Sequence, residues 1–314
     1  MIIALSSNWN AKRHETGEAL VDEALALGFD ALELGYNTTD DHVKGIKRRI
    51  AEGKIIVNSV HAYSPVPIGA PHGYPELHLL ASPDEDERVL ASILLGKTRD
   101  FAESMGARAV VLHAGRVFLD SFWGSLNSGR LEAVAEREGS TQAPKYQRML
   151  ARAKKRRTKR AAALFEGFCT SLEKILPTFE KAKLKLCLEN LPSIEGFPDE
   201  TEIQTLCDRF KGSPLRYWHD MGHGQVRAQM RWMEDHAEVA KRLLPITGGI
   251  HIHDAAPLMV DHLPPGDGYI PFPKFAFYAS DAIIKVFEPA PAVSAKALRK
   301  GLQLVRQAWA SEDH

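Results

Sequence analysis

"LKLCLENLP", residues 184–192, is an apolar run that stops on a carboxylate, Glu189, and turns at once polar. Two later stretches repeat the design: "LRYWHDMGH" (215–223) stops on Asp220, and "GIHIHD" (249–254) carries His251 and His253 at its end. From Glu189 to Asp220 is 31 residues, and from Asp220 to His251 again 31. That interval fits one strand, one helix and two short connections. Short, nearly continuous apolar strands suit a parallel sheet covered on both faces.

Working outward, eight such runs occur: Ile2–Ser6, Ala31–Leu34, Ile55–Val60, Ala109–Leu112, Leu184–Leu188, Leu215–Trp218, Gly249–Ile252 and Ile283–Phe287. Helical patterns lie between most of them. Ala19–Leu27 ends at Gly28, a C-terminal cap signal. Ser82-Pro83-Asp84-Glu85 reads as a helix start, with Ser as cap and Pro first in the helix, and that helix runs to about Met105. Phe165–Lys183 and Thr201–Phe210 continue the alternation. The expected fold is an α/β (β/α)8 barrel, one domain over 1–314, with an insertion at about 116–160 after the fourth strand. An open doubly wound sheet is the competing fold. It calls for a glycine-rich phosphate loop after the first strand, and Ser6-Ser7-Asn8-Trp9 is not one.

Composition narrows the function. Lys+Arg and Asp+Glu number 40 each, a balance that argues against a dedicated nucleic-acid binder. Three cysteines, Cys169, Cys187 and Cys207, form no CxxC pair and read as buried, reduced thiols of a cytoplasmic protein. No apolar run approaches the roughly 18 residues of a membrane span.

In a (β/α)8 barrel the chemistry sits at the C-terminal ends of the strands. Strands two to eight supply there, in order, Glu33, His61, His113, Glu189, then Asp220 with His223, then His251 with His253 and Asp254, then Glu288. Such a ring of buried acids and imidazoles repels itself or resists desolvation unless a divalent cation compensates it. Carboxylate and imidazole without thiolate suits Mn²⁺, Mg²⁺, Co²⁺ or Zn²⁺. The bland alternative for Glu33 and His253 is a hydrogen bond inside the core.

The motifs "VHAY", "SPDEDER", "GARAVVLHAG", "LCLENLP", "HDMGH", "HIHDA", "DHLPPGDG" and "VFEP", spread over nearly the whole chain, resemble the xylose-isomerase-like barrel superfamily of sugar-phosphate isomerases, ketose 3-epimerases and endonuclease IV. The resemblance implies one divalent metal on Glu189, Asp220, His251 and Glu288, with room for a second or third. It implies Glu189 and Glu288 as acid and base in isomerisation or epimerisation of a small sugar, sugar phosphate or polyol through an enediolate. Substrate contacts fall to His61, His113, His223, His253, Glu33 and His262, with Glu33 orienting His61 or His113. Two alternatives stay open: a sugar dehydratase on the same site, and an endonuclease IV-like phosphodiesterase on abasic DNA. The latter pattern places an acid two residues before His262, where this chain has Val260, with Asp261 adjacent. A degenerate, binding-only barrel loses a main ligand, and none is missing. The expected partner is a small carbohydrate, with no nucleic acid and no membrane; a homo-oligomer is compatible.

Three features remain. "HGYPELH" (72–78) lies in a long Pro/Gly-rich loop suited to a lid. "GDG" (266–268) suits a tight turn. "KYQRMLARAKKRRTKRAAALFEGF" (145–168) has apolar residues at helical spacing and a basic face, either solvated or, through Arg152, Lys155, Arg156 or Lys159, aimed at a phosphate.

Overall fold

The computed structural model describes residues 1–120 and 124–310. Eight strands close a parallel barrel: β1 (Ala4–Ser6), β2 (Ala31–Leu34), β3 (Ile56–His61), β4 (Ala109–Leu112), β5 (Lys185–Glu189), β6 (Leu215–Asp220), β7 (Thr247–Ile252) and β8 (Ile284–Phe287). Each strand pairs with its sequence neighbours, and β8 pairs with β1. The expected barrel is therefore present. The strands reach further toward their C-terminal ends than apolar residues alone indicate. β3 includes His61, β5 includes Glu189 and β6 includes Asp220, because ladder hydrogen bonds continue past the last apolar side chain.

The barrel interior is small around one large residue. Ala4, Ala31 and Ala109 pack with Trp218, which is fully buried. Gly249 makes room for the indole: a Cβ there would stand 2.1 Å from Trp218 Cζ3. Trp218 in turn lies edge-on beneath His251, with ring centroids 5.1 Å apart, and so floors the site.

Helices α1 (Gly17–Ala26), α2 (Asp40–Ala51), α3 (Glu85–Ser104), α4 (Ser128–Glu138), α5 (Pro144–Lys181), α6 (Glu200–Arg209), α7 (Met221–Gln229), α8 (His236–Leu243) and α9 (Ala295–Ala308) surround the barrel. The start expected at Ser82 moves to Glu85. Asp84 is the cap, accepting from the Asp86 amide, while Ser82 Oγ accepts from Asp84 N and holds the turn before it. The segment read as a basic helix followed by a separate one from Phe165 is a single 38-residue helix, α5, with Pro177 inside it. Arg157 anchors its middle, pairing with Asp199 and Glu202 and donating to the carbonyls of Ile194 (2.9 Å) and Gly196 (2.6 Å). No described helix is long and apolar enough to cross a membrane. The three cysteines are free and buried.

Candidate metal centre

Register brings the acids and imidazoles together. Asp220 stands opposite His251 in the β6–β7 ladder, and Val286, two residues before Glu288, stands opposite His251 from β8. Strand ends therefore converge on one point. His251 Nδ1 lies 3.1 Å from Glu189 Oε1, 3.0 Å from Glu288 Oε2 and 3.6 Å from Asp220 Oδ2. Donor atoms of Glu189, Asp220, His251 and Glu288 lie within 4.8 Å of one another. The other oxygen of Glu189, Oε2, is 3.2 Å from both His61 Nε2 and His113 Nε2, which form a second such group with it. His223, His253 and His262 form a third.

The far side is tied down in His61, His223, His262 and His251. His61 Nδ1 bonds to Ala62 O (2.9 Å), His223 Nδ1 to Asn190 O (2.8 Å) and His262 Nδ1 to Glu288 O (2.8 Å). His251 Nε2 bonds to Glu33 (3.0 Å), whose other oxygen accepts from Ser59 Oγ (2.8 Å). Glu33 thus orients His251 and not His61 or His113. The physical reason is reach: it leaves β2 pointing inward, across the barrel toward β7. An imidazole held by an outer carboxylate or carbonyl, with its second nitrogen turned to a cluster of acids, is the arrangement that fits a metal ligand.

The third group is weaker than its composition implies. His262 N donates to His253 Nδ1 (2.8 Å), so Nδ1 carries no proton and Nε2 donates to Asp220 Oδ2 (2.9 Å). His253 therefore orients Asp220. Asp261 approaches no nearer than 3.9 Å to His223 Nε2, and Val260 supplies no donor.

Electrostatics follow from burial and pairing. Burial alone would raise the Glu189 carboxyl. The charges of His251 and His113, with their hydrogen bonds, overcome it and hold the group well below the usual range. Asp220 is held down likewise, against burial, by His223 and His253. Burial works against charge on His113, but Glu189 and Glu76 raise it to about 9. His251 is raised well above its ordinary value, against burial, by Glu288, Glu33 and Glu189. Burial lowers His223.

Three participating residues, Glu76, Asn190 and Ser59, are not singled out by the sequence pattern, and a fourth, Asp254, is named there without a role. Glu76, in the Pro/Gly-rich loop, lies 3.4 Å from His113 Nδ1 and 2.5 Å from Arg116 Nε. Asn190 accepts from Asp220 N (2.8 Å) and donates to Asp220 O (3.1 Å). Ser59 holds Glu33. Asp254 holds the "GDG" turn: Oδ2 accepts from Gly266 N and Gly268 N, and Oδ1 from Ala255 N and Ile270 N. Asn190 stands inside "LEN" and Asp254 inside "HIHDA", so a signal exists for both. Glu76 and Ser59 carry none.

A model of the xylose isomerase-like TIM barrel family matches residues 21–282. Among solved structures, the apo form of the 3-keto-D-glucoside 4-epimerase YcjR from E. coli is similar at 15% identity, covering 98% of this chain and 99% of that one, TM-score 0.67. An L-ribulose 3-epimerase is similar at 16% identity over 100% and 98%, TM-score 0.66. The TTHB071 protein from Thermus thermophilus, soaked with zinc chloride, is similar at 18% identity over 98% of each chain, TM-score 0.59. No curated protein matches in sequence.

Proposed function

This chain belongs to the xylose isomerase-like TIM barrel family, and from that premise we propose that it is a divalent-metal-dependent isomerase or epimerase of a small sugar or sugar-like polyol. The observation that carries the reading is the meeting of two carboxylates from separate strands, Glu189 of β5 and Glu288 after β8, at His251 Nδ1. Glu189, Asp220, His251 and Glu288 would hold the ion. Such an ion would supply Lewis acidity at the substrate carbonyl and so favour loss of a proton from the neighbouring carbon. Glu189 and Glu288 take a proton from substrate carbon and return one to it, from two sides. His61, His113 and His223 border the mouth and bind hydroxyls. Structures similar to this chain that carry the word epimerase in their names support the choice of substrate class.

A second reading rests on a separate observation. Glu189 turns Oε1 to His251 and Oε2 to His61 and His113, and so takes part in two donor groups that would each hold an ion. A shared Glu189 is not available to carbon, and two ions suit phosphodiester hydrolysis, as on abasic DNA. Metal analysis with product analysis separates the two. One tightly held ion per chain, with ketose turnover and intact abasic DNA, supports the isomerase. Two ions with DNA nicking establishes the hydrolase, and loss of water from the sugar establishes a dehydratase.

Two further outcomes follow. Below about pH 9 the ion-free chain keeps its proton on His113, and His251 is raised in the same direction. An ion held by His251 must displace its proton, and by drawing on the charge of Glu189 it weakens the hold on the His113 proton. Binding should therefore strengthen from pH 6 toward 9, and calorimetry in buffers of different ionisation enthalpy should show about one to two protons released per ion. Ser59→Ala frees Glu33 and loosens His251. It should weaken zinc binding about tenfold in a chelator competition while costing only about 1 kcal/mol of stability.

A further inference from the structure

The basic face of α5 is not an ordinary solvated helix face. Several cations elsewhere are matched: Arg13 with Glu23, Arg49 with Asp22 and Glu52, Arg209 with Glu166, Arg306 with Asp30. On α5 itself Arg157 turns inward and is matched twice. Arg152, Lys155, Arg156, Lys159 and Arg160 instead line an open cavity of about 650 Å³ together with residues 124–126. Among the described residues no carboxylate comes within 4.0 Å of any of these five cations. Asp120, on the same loop, accepts at Oδ1 from Ser125 Oγ (2.5 Å) and Asn127 Nδ2 (3.3 Å). The undescribed residues 121–123 are Ser, Phe and Trp by sequence and carry no charge. Five like charges on consecutive turns repel one another, at a cost to helix stability.

Position connects the cavity to the barrel mouth. The loop that walls it begins directly after His113 and Arg116. Arg156 Nη1 donates to the carbonyls of Leu119 (2.7 Å) and Gly124 (3.4 Å), and Arg160 Nη1 to those of Phe118 and Asp120. Both its ends are tied to the segment after β5: Val117 N donates to Glu195 O (2.7 Å) and Ser128 N to Glu195 Oε1 (2.9 Å). One loop is thus shared by the histidine side of the metal centre and the cationic cavity.

We infer that this cavity binds a phosphate group, with Arg152, Lys155 and Lys159 supplying the charge while Arg156 and Arg160 hold the loop. The phosphate belongs either to the sugar substrate, a source that rests on the isomerase reading, or to a separate phosphorylated molecule. Arginine and lysine side chains converging on a concave site are the groups that bind phosphate.

The test uses the metal-loaded enzyme and inorganic phosphate. Arg152→Gln/Lys155→Gln/Lys159→Gln leaves both loop-holding arginines in place. Its Kd for phosphate, by calorimetry, is expected to rise at least tenfold, with Lys155→Gln alone intermediate. Phosphate bound at the metal centre is common to wild type and variant, so the difference reports this cavity. A kcat/KM preference for phosphorylated over free ketoses, lost in the triple variant, assigns the phosphate to the substrate. Weakened phosphate binding without that preference assigns it to a separate molecule, and stands even if no ketose is turned over. Equal binding by wild type and triple variant overturns the inference. So does salt-dependent retention of DNA by wild type without measurable phosphate binding.

Discussion

Glu189→Gln should lower turnover by about 10³-fold or more and strip the protein of its metal. The carboxylate is buried and receives three imidazoles, His251 on one oxygen and His61 and His113 on the other. A glutamine keeps the shape but offers an N–H₂ where one of those oxygens accepted. It also removes the negative charge that helps hold His113 and His251 protonated. Both donor groups sharing Glu189 fail together, so metal content and kcat should fall in parallel. Glu288→Gln touches only one group. It should retain more metal for the same loss of kcat, because it removes a proton-transfer group at the edge of the ion site. Atomic absorption on both variants, with thermal melts to confirm folding, separates the two roles. A Glu189→Gln enzyme with wild-type metal content and turnover would remove this residue from the chemistry.

Asp254→Ala should destabilise the fold more than either glutamate change, by about 4 kcal/mol or more. A hydrogen bond to a charged acceptor contributes about 1.5–3 kcal/mol. Four amides converge on this carboxylate, at 2.9 Å for Ala255, Gly266 and Ile270 and 3.0 Å for Gly268, and the truncation leaves them without that acceptor, those of Ala255 and Ile270 in buried positions. No larger side chain can take over: a Cβ on Gly268 would lie 2.4 Å from Ala255 O. The effect should reach the metal centre. The 254–268 loop carries His262, which bonds to His253 through its amide and to Glu288 O through its ring. Urea unfolding should show a lowered midpoint, and the surviving folded fraction should show reduced kcat. A stability within about 1 kcal/mol of wild type would mean the loop is held by other contacts.

How much of this is legible in the sequence depends on distance along the chain. Strands and helices have local signatures, so the eight apolar runs predict the barrel, and the polar residue ending each run marks the rim. Boundaries drift where a polar residue still belongs to a strand, as with Glu189 and Asp220. They drift again where two helical patterns fuse into α5. Partnership is less visible. Sequence order pairs Glu33 with the wrong histidine because residues 33 and 251, far apart along the chain, meet only across the closed barrel. His253 competes with His251 for one role, and the superfamily pattern of His, two residues and an acid selects His251. Alternation places both on one face, and the strand end separates them: His251, within β7, reaches the centre, while His253, beyond it, turns to Asp220. Glu76 sits in a loop whose path no periodicity encodes. The cationic cavity is visible as composition, but the lack of matching carboxylates is a fact of packing.

The central claim is proton transfer at carbon on a metal centre built from β5 to β8. Incubating the metal-loaded enzyme with a panel of ketoses in D₂O and following the carbon-bound hydrogens by NMR tests it most directly. Deuterium should enter at the carbon next to the carbonyl of the accepted sugar, stop when the metal is removed, and be lost in Glu288→Gln. No incorporation into any ketose, phosphorylated or free, by enzyme with a full metal complement would contradict it.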